Sequence, residues 1–324
     1  MSSNKSFKRK MLIIDRDFQM RFILKFIKIA LLGGVISTLI ILVFYYFTYK
    51  YQGKDLYRYL IEVGSYERLD YNIKDKTGKT PIFYARDLKM ANLLIQKGAD
   101  INITDNNGNN VLHICAIEDR LDLARIYIEN GVRINHVNKQ GKKPLDLYVE
   151  KHNSTPLHWY SGIEDTEEMI KILAESKVDI NQTDKYGRTP LHIASFYSRF
   201  EAIHLLLSQK ASLSVKDNNG FTPMDTYINS YSSSPLAWYV LIGDENSLVK
   251  EIKTNKDKIN YQDKDGNTPL HLAISFMNIN IVKILLQNNA DPTIRNSSGK
   301  SCIDLAQDTK NMNIIKTIYT YYKN

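Results

Sequence analysis

One short motif recurs along this chain and constrains its fold more than any other feature. It reads Thr80-Pro81-Ile82-Phe83, Thr155-Pro156-Leu157-His158, Thr189-Pro190-Leu191-His192 and Thr268-Pro269-Leu270-His271. Weaker copies start at Asn110, Lys143, Thr222 and Ser301. Each part has a physical job at a helix start. Thr offers a hydroxyl to the free amides of the first turn, Pro occupies the first helical position where no donor is needed, and Leu turns into the interior. A chain that restarts a helix in the same way so many times cannot build one large globular core. It must bury each unit against its neighbours, as repeat proteins do.

The Asp or Asn that opens each preceding turn sets the register: Asp75, Asp105, Asn138, Asp184, Asp217, Asp263 and Asn296. The steps are 30, 33, 46, 33, 46 and 33 residues, so a 79-residue pair occurs twice, as 138–216 and 217–295. Both 46-residue units hold two helix starts, KPLDLYVEKHN then STPLHWY, and TPMDTYINSYS then SSPLAWY. This predicts a truncated repeat fused to one that has lost its turn, with an extra helical turn or short helix. Trp159 and Trp238 hold matching places there and are expected to pack around it.

These residues resemble the ankyrin repeat family, whose unit of about 33 residues carries a T-P-L-H-x-A core. The resemblance covers about residues 75 to 324. It implies an all-α solenoid of helix-turn-helix repeats with hairpin-type turns, and structural roles for Thr80, Pro81, His113, Thr155, Pro156, His158, Thr189, Pro190, His192, Thr268, Pro269 and His271. The four histidines among them are expected to hydrogen-bond between neighbouring turns. Two departures stand out. The first unit is three residues short, which predicts a trimmed helix around Asp87 and Leu88. The helix exits carry Gly98 and Gly131 early but Lys177, Lys210 and Asn289 later, where a left-handed backbone costs a non-glycine residue about 1–2 kcal/mol.

A second feature lies before the repeats. Residues 29–48, IALLGGVISTLIILVFYYFT, carry no charge over 20 positions, enough at about 1.5 Å per residue to cross a bilayer core of about 30 Å. The basic stretch before it is too long for a signal peptide and no small-x-small cleavage site follows, so an uncleaved transmembrane helix is expected. Tyr45, Tyr46, Tyr49 and Tyr51 fit an interfacial belt. Residues 1–28 hold eight Lys or Arg against Asp15 and Asp17, which accounts for most of the net charge of +8 and leaves 35 basic against 33 acidic residues elsewhere. Nucleic-acid binding is thereby disfavoured. The basic head places the N-terminus in the cytoplasm and everything after residue 50 in the periplasm or outside the cell. Residues 11–48 are the expected lipid contact. The resulting layout is a cytoplasmic head (1–28), the span (29–48), a linker with a degenerate N-terminal capping repeat (49–74), the repeats (75–295) and a C-terminal capping repeat (296–324).

No chemistry emerges from the motifs. Cys115 and Cys302 are too few and too distant for a disulfide framework or a zinc knuckle. His136, His152 and His204 lack ligand spacing, and the acidic turn at Asp263 lacks the spacing of a calcium loop, with Tyr261 in a ligand position. No phosphate loop or nucleophile elbow is present. The reading is therefore a non-enzyme without cofactor or small-molecule substrate. The expected function is a membrane-tethered scaffold or adaptor whose protein partner contacts the face built from hairpin tips and first helices. Candidate contacts there are Tyr186, Arg188, Phe196, Tyr197, Phe221, Phe276 and Met277, with Ile193 and Leu272 as alternative core members. The alternative is an immunity, inhibitor or protective protein that binds an enzyme of the same cell. The bias toward Asn, Lys, Ile and Tyr fits an AT-rich genome and a bacterial envelope.

Overall fold

A computed structural model describes residues 70–175 and 177–322. The head, the span and most of the linker therefore lie outside the described residues. Among the described residues no helix is long and apolar enough to cross a membrane. All regular structure there is helical, with a single isolated bridge between Arg295 and Ser301.

The chain divides into two units, one ending at Ile103 and one beginning at Thr104. The described part of the first holds a hairpin turn at Asp75, a 3-10 turn at Pro81–Tyr84 and helix α1, Leu88–Gln96. The three missing residues are taken from the first helix, which shrinks to that 3-10 turn, and not from the region around Leu88. Asp87 caps α1 by accepting the Met90 amide at 2.7 Å. Thr80, deprived of a full helix to cap, keeps a buried hydroxyl without a hydrogen-bond partner. Asn72 accepts the Asp100 amide at 2.7 Å, the same bond that Asn181 makes to Ser212 and Asn260 to Asp291 in the second unit.

The second unit stacks helices in pairs: α2 Val111–Glu118 with α3 Leu121–Glu129, then α4 Pro144–His152, α5 Pro156–Ile163 and α6 Thr166–Leu173. These are followed by α7 Pro190–Phe196, α8 Phe200–Ser208, α9 Pro223–Tyr231, α10 Pro235–Ile242 and α11 Glu245–Thr254. The last pairs are α12 Pro269–Ser275 with α13 Ile279–Gln287, and α14 Cys302–Asp308 with α15 Met312–Tyr322.

All seven turns close in the same way. The opening Asp or Asn takes a backbone bond from its own amide to the carbonyl four residues on, and its carbonyl accepts from the glycine three residues on, at 2.8–3.0 Å. Its side-chain oxygen accepts the amides two and four residues on, as Asp184 does from Tyr186 and Arg188 at 2.9 Å. Glycine is needed at the tip because φ there is positive, +75° at Gly187. Asn218 also approaches so closely that a side chain on Gly187 would meet its amide nitrogen at 2.8 Å.

The 46-residue units resolve into three helices each, and one helix does two jobs. Helix α4 packs on α2 and α5 packs on α3, so α4 and α5 behave as a complete repeat. Helix α5 then pairs with α6 and supports α7, which makes it also the first helix of the next repeat. Helices α9 and α10 repeat this arrangement on α7 and α8. A helix sandwiched this way should be apolar nearly all round. In α5 Leu157, His158, Trp159, Ser161, Gly162 and Ile163 are buried, and in α10 Leu236, Ala237, Trp238, Val240 and Leu241 are. Trp159 meets the ring of Tyr148 at 5.2 Å, and Trp238 meets Tyr227 at 5.7 Å. The end of α4 takes the place of the missing hairpin: the Lys185 amide donates to the His152 carbonyl at 2.9 Å, and Lys264 does the same to Tyr231. The Lys185 and Lys264 ammonium groups cap Lys151 and Ser230 carbonyls at 2.8 and 2.9 Å, a favourable use of cations at helix C-termini.

The third residue of the first helices follows the same logic in all but α10, where it is Ala237. In α2, α5, α7 and α12 it is histidine. Nδ1 of His113, His158, His192 and His271 accepts the N-cap amide at 3.1–3.2 Å, which leaves Nε2 as the protonated nitrogen. Nε2 donates to the carbonyls of Lys142, Arg188, Phe221 and Lys300 in the next hairpin at 2.9–3.2 Å. In α4, α9 and α14 it is Asp146, Asp225 and Asp304, which accept the N-cap amide at 2.8–2.9 Å. No hairpin follows directly after those helices, so a carboxylate that caps without bridging suffices.

Candidate protein-binding face

Hairpin tips and the ends of the first helices share one face of the second unit, and the seven predicted contact residues divide there into two groups. Tyr186 (44% exposed) and Phe221 (42%) stand on adjacent tips joined by the bond from the Asn218 amide to the Tyr186 carbonyl, 3.0 Å. Phe196 (46%) ends α7, and Met277 (58%) follows α12. These four are available to a partner.

The other three are committed to the repeat stack. Arg188 lies between Asp119, 2.8 Å from its Nη2, and Asp184, 2.7 Å away, and its Nε donates to Asp184 at 2.8 Å. Its side chain is 19% exposed. The two carboxylates hold its pKa above the ordinary arginine range against the opposing effect of burial, which is the largest single influence. Tyr148 donates to the second oxygen of Asp119 at 3.2 Å. The Tyr197 hydroxyl donates to the Asp119 carbonyl at 2.8 Å and accepts the Leu121 amide at 3.3 Å, and burial raises its pKa strongly. Phe276 stacks on Phe200 with centroids 4.2 Å apart and ring planes 7° from parallel. Ile193 is fully buried, and Leu272 is partly buried against both apolar clusters.

Backbone geometry adds one observation about Met277. Asp119, Ser198 and Met277 are equivalent positions in three repeats, and all three have positive φ, 56°, 51° and 53°. Asp119 there carries the ion pair to Arg188. Met277 instead leaves an apolar side chain in solvent at a strained position. Lys210 and Asn289 also take positive φ, 64° and 67°, as the exits without glycine require.

The duplication supplies an internal comparison. Tyr186 and Phe196 correspond to Asp265 and Ser275, and Phe221 to Lys142 in one direction and Lys300 in the other. The same scaffold position therefore accepts polar residues, so the exposed rings are not required for folding. Several lysines in the first copy, which are not among the predicted contacts, show the same contrast: Lys139, Lys143 and Lys151 correspond to Asn218, Thr222 and Ser230. Subtracting one copy from the other is the sequence signal that reveals them.

Burial also sets the protonation of five histidines and both cysteines. Burial holds the pKa of His113, His152, His158, His192 and His271 below that of a free imidazole. Burial likewise raises the thiol of Cys115 strongly and that of Cys302 to about 12, which makes both poor nucleophiles. Among the described residues no cluster of His, Cys, Asp and Glu has the geometry to hold a metal ion.

Comparison with known proteins agrees with this architecture. The family described as ankyrin repeats (3 copies) matches residues 86–153, 142–219 and 236–324. Among curated proteins, the chain is 31% identical over 231 residues to palmitoyltransferase ZDHHC13 of Homo sapiens, covering 71% of this chain and 33% of that protein. It is 28% identical over 218 residues to putative palmitoyltransferase ZDHHC13 of Danio rerio (66% and 30%), and 24% identical over 215 residues to inversin of Canis lupus familiaris (65% and 18%). The chain thus spans a third or less of these relatives. A solved complex of a predatory endopeptidase from Bdellovibrio bacteriovorus with an immunity protein aligns at 19% identity with a TM-score of 0.30, covering 51% of this chain and 96% of that one. That score is too low to carry an argument. The family match spans well over half of the residues and coincides with the turns, caps and paired helices described above: the chain belongs to the ankyrin-repeat family.

Proposed function

We propose that this protein is a membrane-tethered interaction module without catalytic activity, which holds a protein partner on the hairpin-tip face of its repeats. The observation that carries the reading is the exposure of Tyr186, Phe196, Phe221 and Met277 on that face. Solvent-exposed aromatics and Met in one region are typical binding anchors, and the polar residues at duplicate positions indicate that the fold does not need them. The tether rests on the uncharged residues 29–48 and the basic head, which support a single span with the repeats outside the cytoplasm. Anchoring would raise the local concentration of the module near membrane partners.

The test uses the full chain as bait beside a variant that borrows residues from its own duplicate, Tyr186→Asp with Phe196→Ser. The wild type should retain a partner that the variant loses while its helical circular dichroism is unchanged. Equal retention by both would refute this face as the binding site. If the retained partner is an enzyme that the chain inhibits, the module is a protective or immunity protein; if not, it is an adaptor. A reporter fused after residue 324 tests orientation: alkaline phosphatase should be active there, and a fluorescent cytoplasmic reporter in its place would overturn the assignment.

A further inference from the structure

The two copies of the duplication differ in charge along the hairpin and the helix that follows it. Residues 138–153, the hairpin and helix α4 of the first copy, contain four lysines against two acids, whereas the equivalent 217–232 contain two acids and neither Lys nor Arg. Of the four lysines, Lys142 pairs with Glu150. Asp146 accepts the Lys143 backbone amide at 2.8 Å. The side chains of Lys139, Lys143 and Lys151 are exposed and meet no carboxylate among the described residues. Lys185, on the next tip, lies 4.8 Å from the Tyr186 ring centroid, and the Arg188 guanidinium lies 4.7 Å from it. Asp119 and Asp184 face Arg188, and Glu118 at the end of α2 is exposed. Three exposed lysines without a carboxylate partner thus lie in the copy that also carries the exposed rings of Tyr186 and Phe196, and the other copy, which exposes Phe221 and Tyr261 instead, shows that the scaffold does not require lysine at those positions.

We infer that the tip face of residues 138–216 binds an acidic, extended peptide segment of its protein partner, with apolar side chains of that segment seated against Tyr186 and against Phe196. This rests on the binding face proposed above and specifies its occupant. Exposed lysines flanking an aromatic anchor attract and orient acidic chain, and suppress basic competitors, more than they add to bulk affinity. Salt should therefore weaken the interaction.

The experiment measures fluorescence anisotropy of a labelled peptide of Glu and Gly flanking a Phe-Leu pair against the full-length chain. A peptide with Lys in place of every Glu, and one with Ala in place of Phe-Leu, serve as competitors. The variant Lys139→Glu with Lys151→Glu alters exposed side chains that make no structural bond. The inference expects saturable binding of the Glu peptide, no competition by the Lys peptide, and a loss of about tenfold or more in the double variant, of the order expected when charges across an interface become alike. Equal binding of the Lys peptide, or an unaffected double variant, overturns the acidic occupant while leaving the face intact if Tyr186→Asp with Phe196→Ser still abolishes binding. Failure of every peptide, together with indifference to the aromatic variant, overturns both readings.

Discussion

Gly162 offers the sharpest test of the shared-helix arrangement. It lies in α5, where that helix is squeezed between the start of α3 and helix α7. A β-carbon added there would sit 2.1 Å from Leu121 Cδ1 and 3.1 Å from both Leu121 Cβ and Ile193 Cγ2. Carbon atoms prefer about 3.5–4.0 Å. Leu121 and Ile193 are both fully buried, so neither has open space to retreat into. In an ordinary helix Gly→Ala stabilises by about 1 kcal/mol. Here overpacking costs about 1–3 kcal/mol, toward the upper end because the overlap exceeds an ångström. The net expectation for Gly162→Ala is a destabilisation of about 1–2 kcal/mol, which corresponds to a fall of about 2–8 °C in the midpoint for a unit of this size. The assay is thermal and urea unfolding of the full chain followed by circular dichroism, with hydrogen exchange of α3, α5 and α7 because repeat stacks can open in parts. Leu121→Ala removes the clashing atom, so most of the alanine cost should vanish in the double variant, a coupling of about 1 kcal/mol or more. Unchanged or raised stability in Gly162→Ala, or the same cost in both backgrounds, would falsify the tight double packing of α5.

Two further outcomes follow from the same contacts. Arg188→Met leaves Asp119 facing a buried Asp184 without a cation and should cost about 3 kcal/mol; Arg188→Asn with Asp119→Ser, the pairing found at Asn267 and Ser198 in the duplicate, should recover most of it, and urea midpoints that rank the double variant below the single one would contradict the assignment. The buried histidines set a pH dependence: their folded pKa values lie below the ordinary 6.5, so their contribution is constant above about pH 6.5 and stability declines as pH falls from there through the folded values, because the unfolded chain takes up protons first. Unfolding midpoints that stay level between about pH 7.5 and 5 would count against that protonation pattern.

Much of the fold is legible in the residues because it depends on neighbours close in the chain. Asp184 capping its own turn, Gly187 at a positive φ and Thr189 starting a helix are settled within a few positions, and the same chemistry recurs at all seven turns. Where the third helical position is Asp rather than His, no hairpin follows directly, although α10, with Ala237 there, leads to a hairpin without the histidine. Such signals set register, helix starts and family.

What the tertiary structure decided is where long side chains go and which helices serve twice. The sequence shows two helix starts in each 46-residue unit but not that α5 and α10 each complete one repeat and begin another, because that depends on contacts with α3 and α8 across the stack. Arg188, Tyr197 and Phe276 look like surface anchors when read along the chain. Folding brings Asp119 to Arg188 and Tyr197 from distant points in the sequence, and Phe200 to Phe276, and thereby turns all three inward. Tyr186, Phe196, Phe221 and Met277 keep much of their surface outside. Local capping is a short-range interaction that sequence spacing specifies, whereas the direction of a long polar or aromatic side chain is settled by whichever distant group the packed repeats deliver to it.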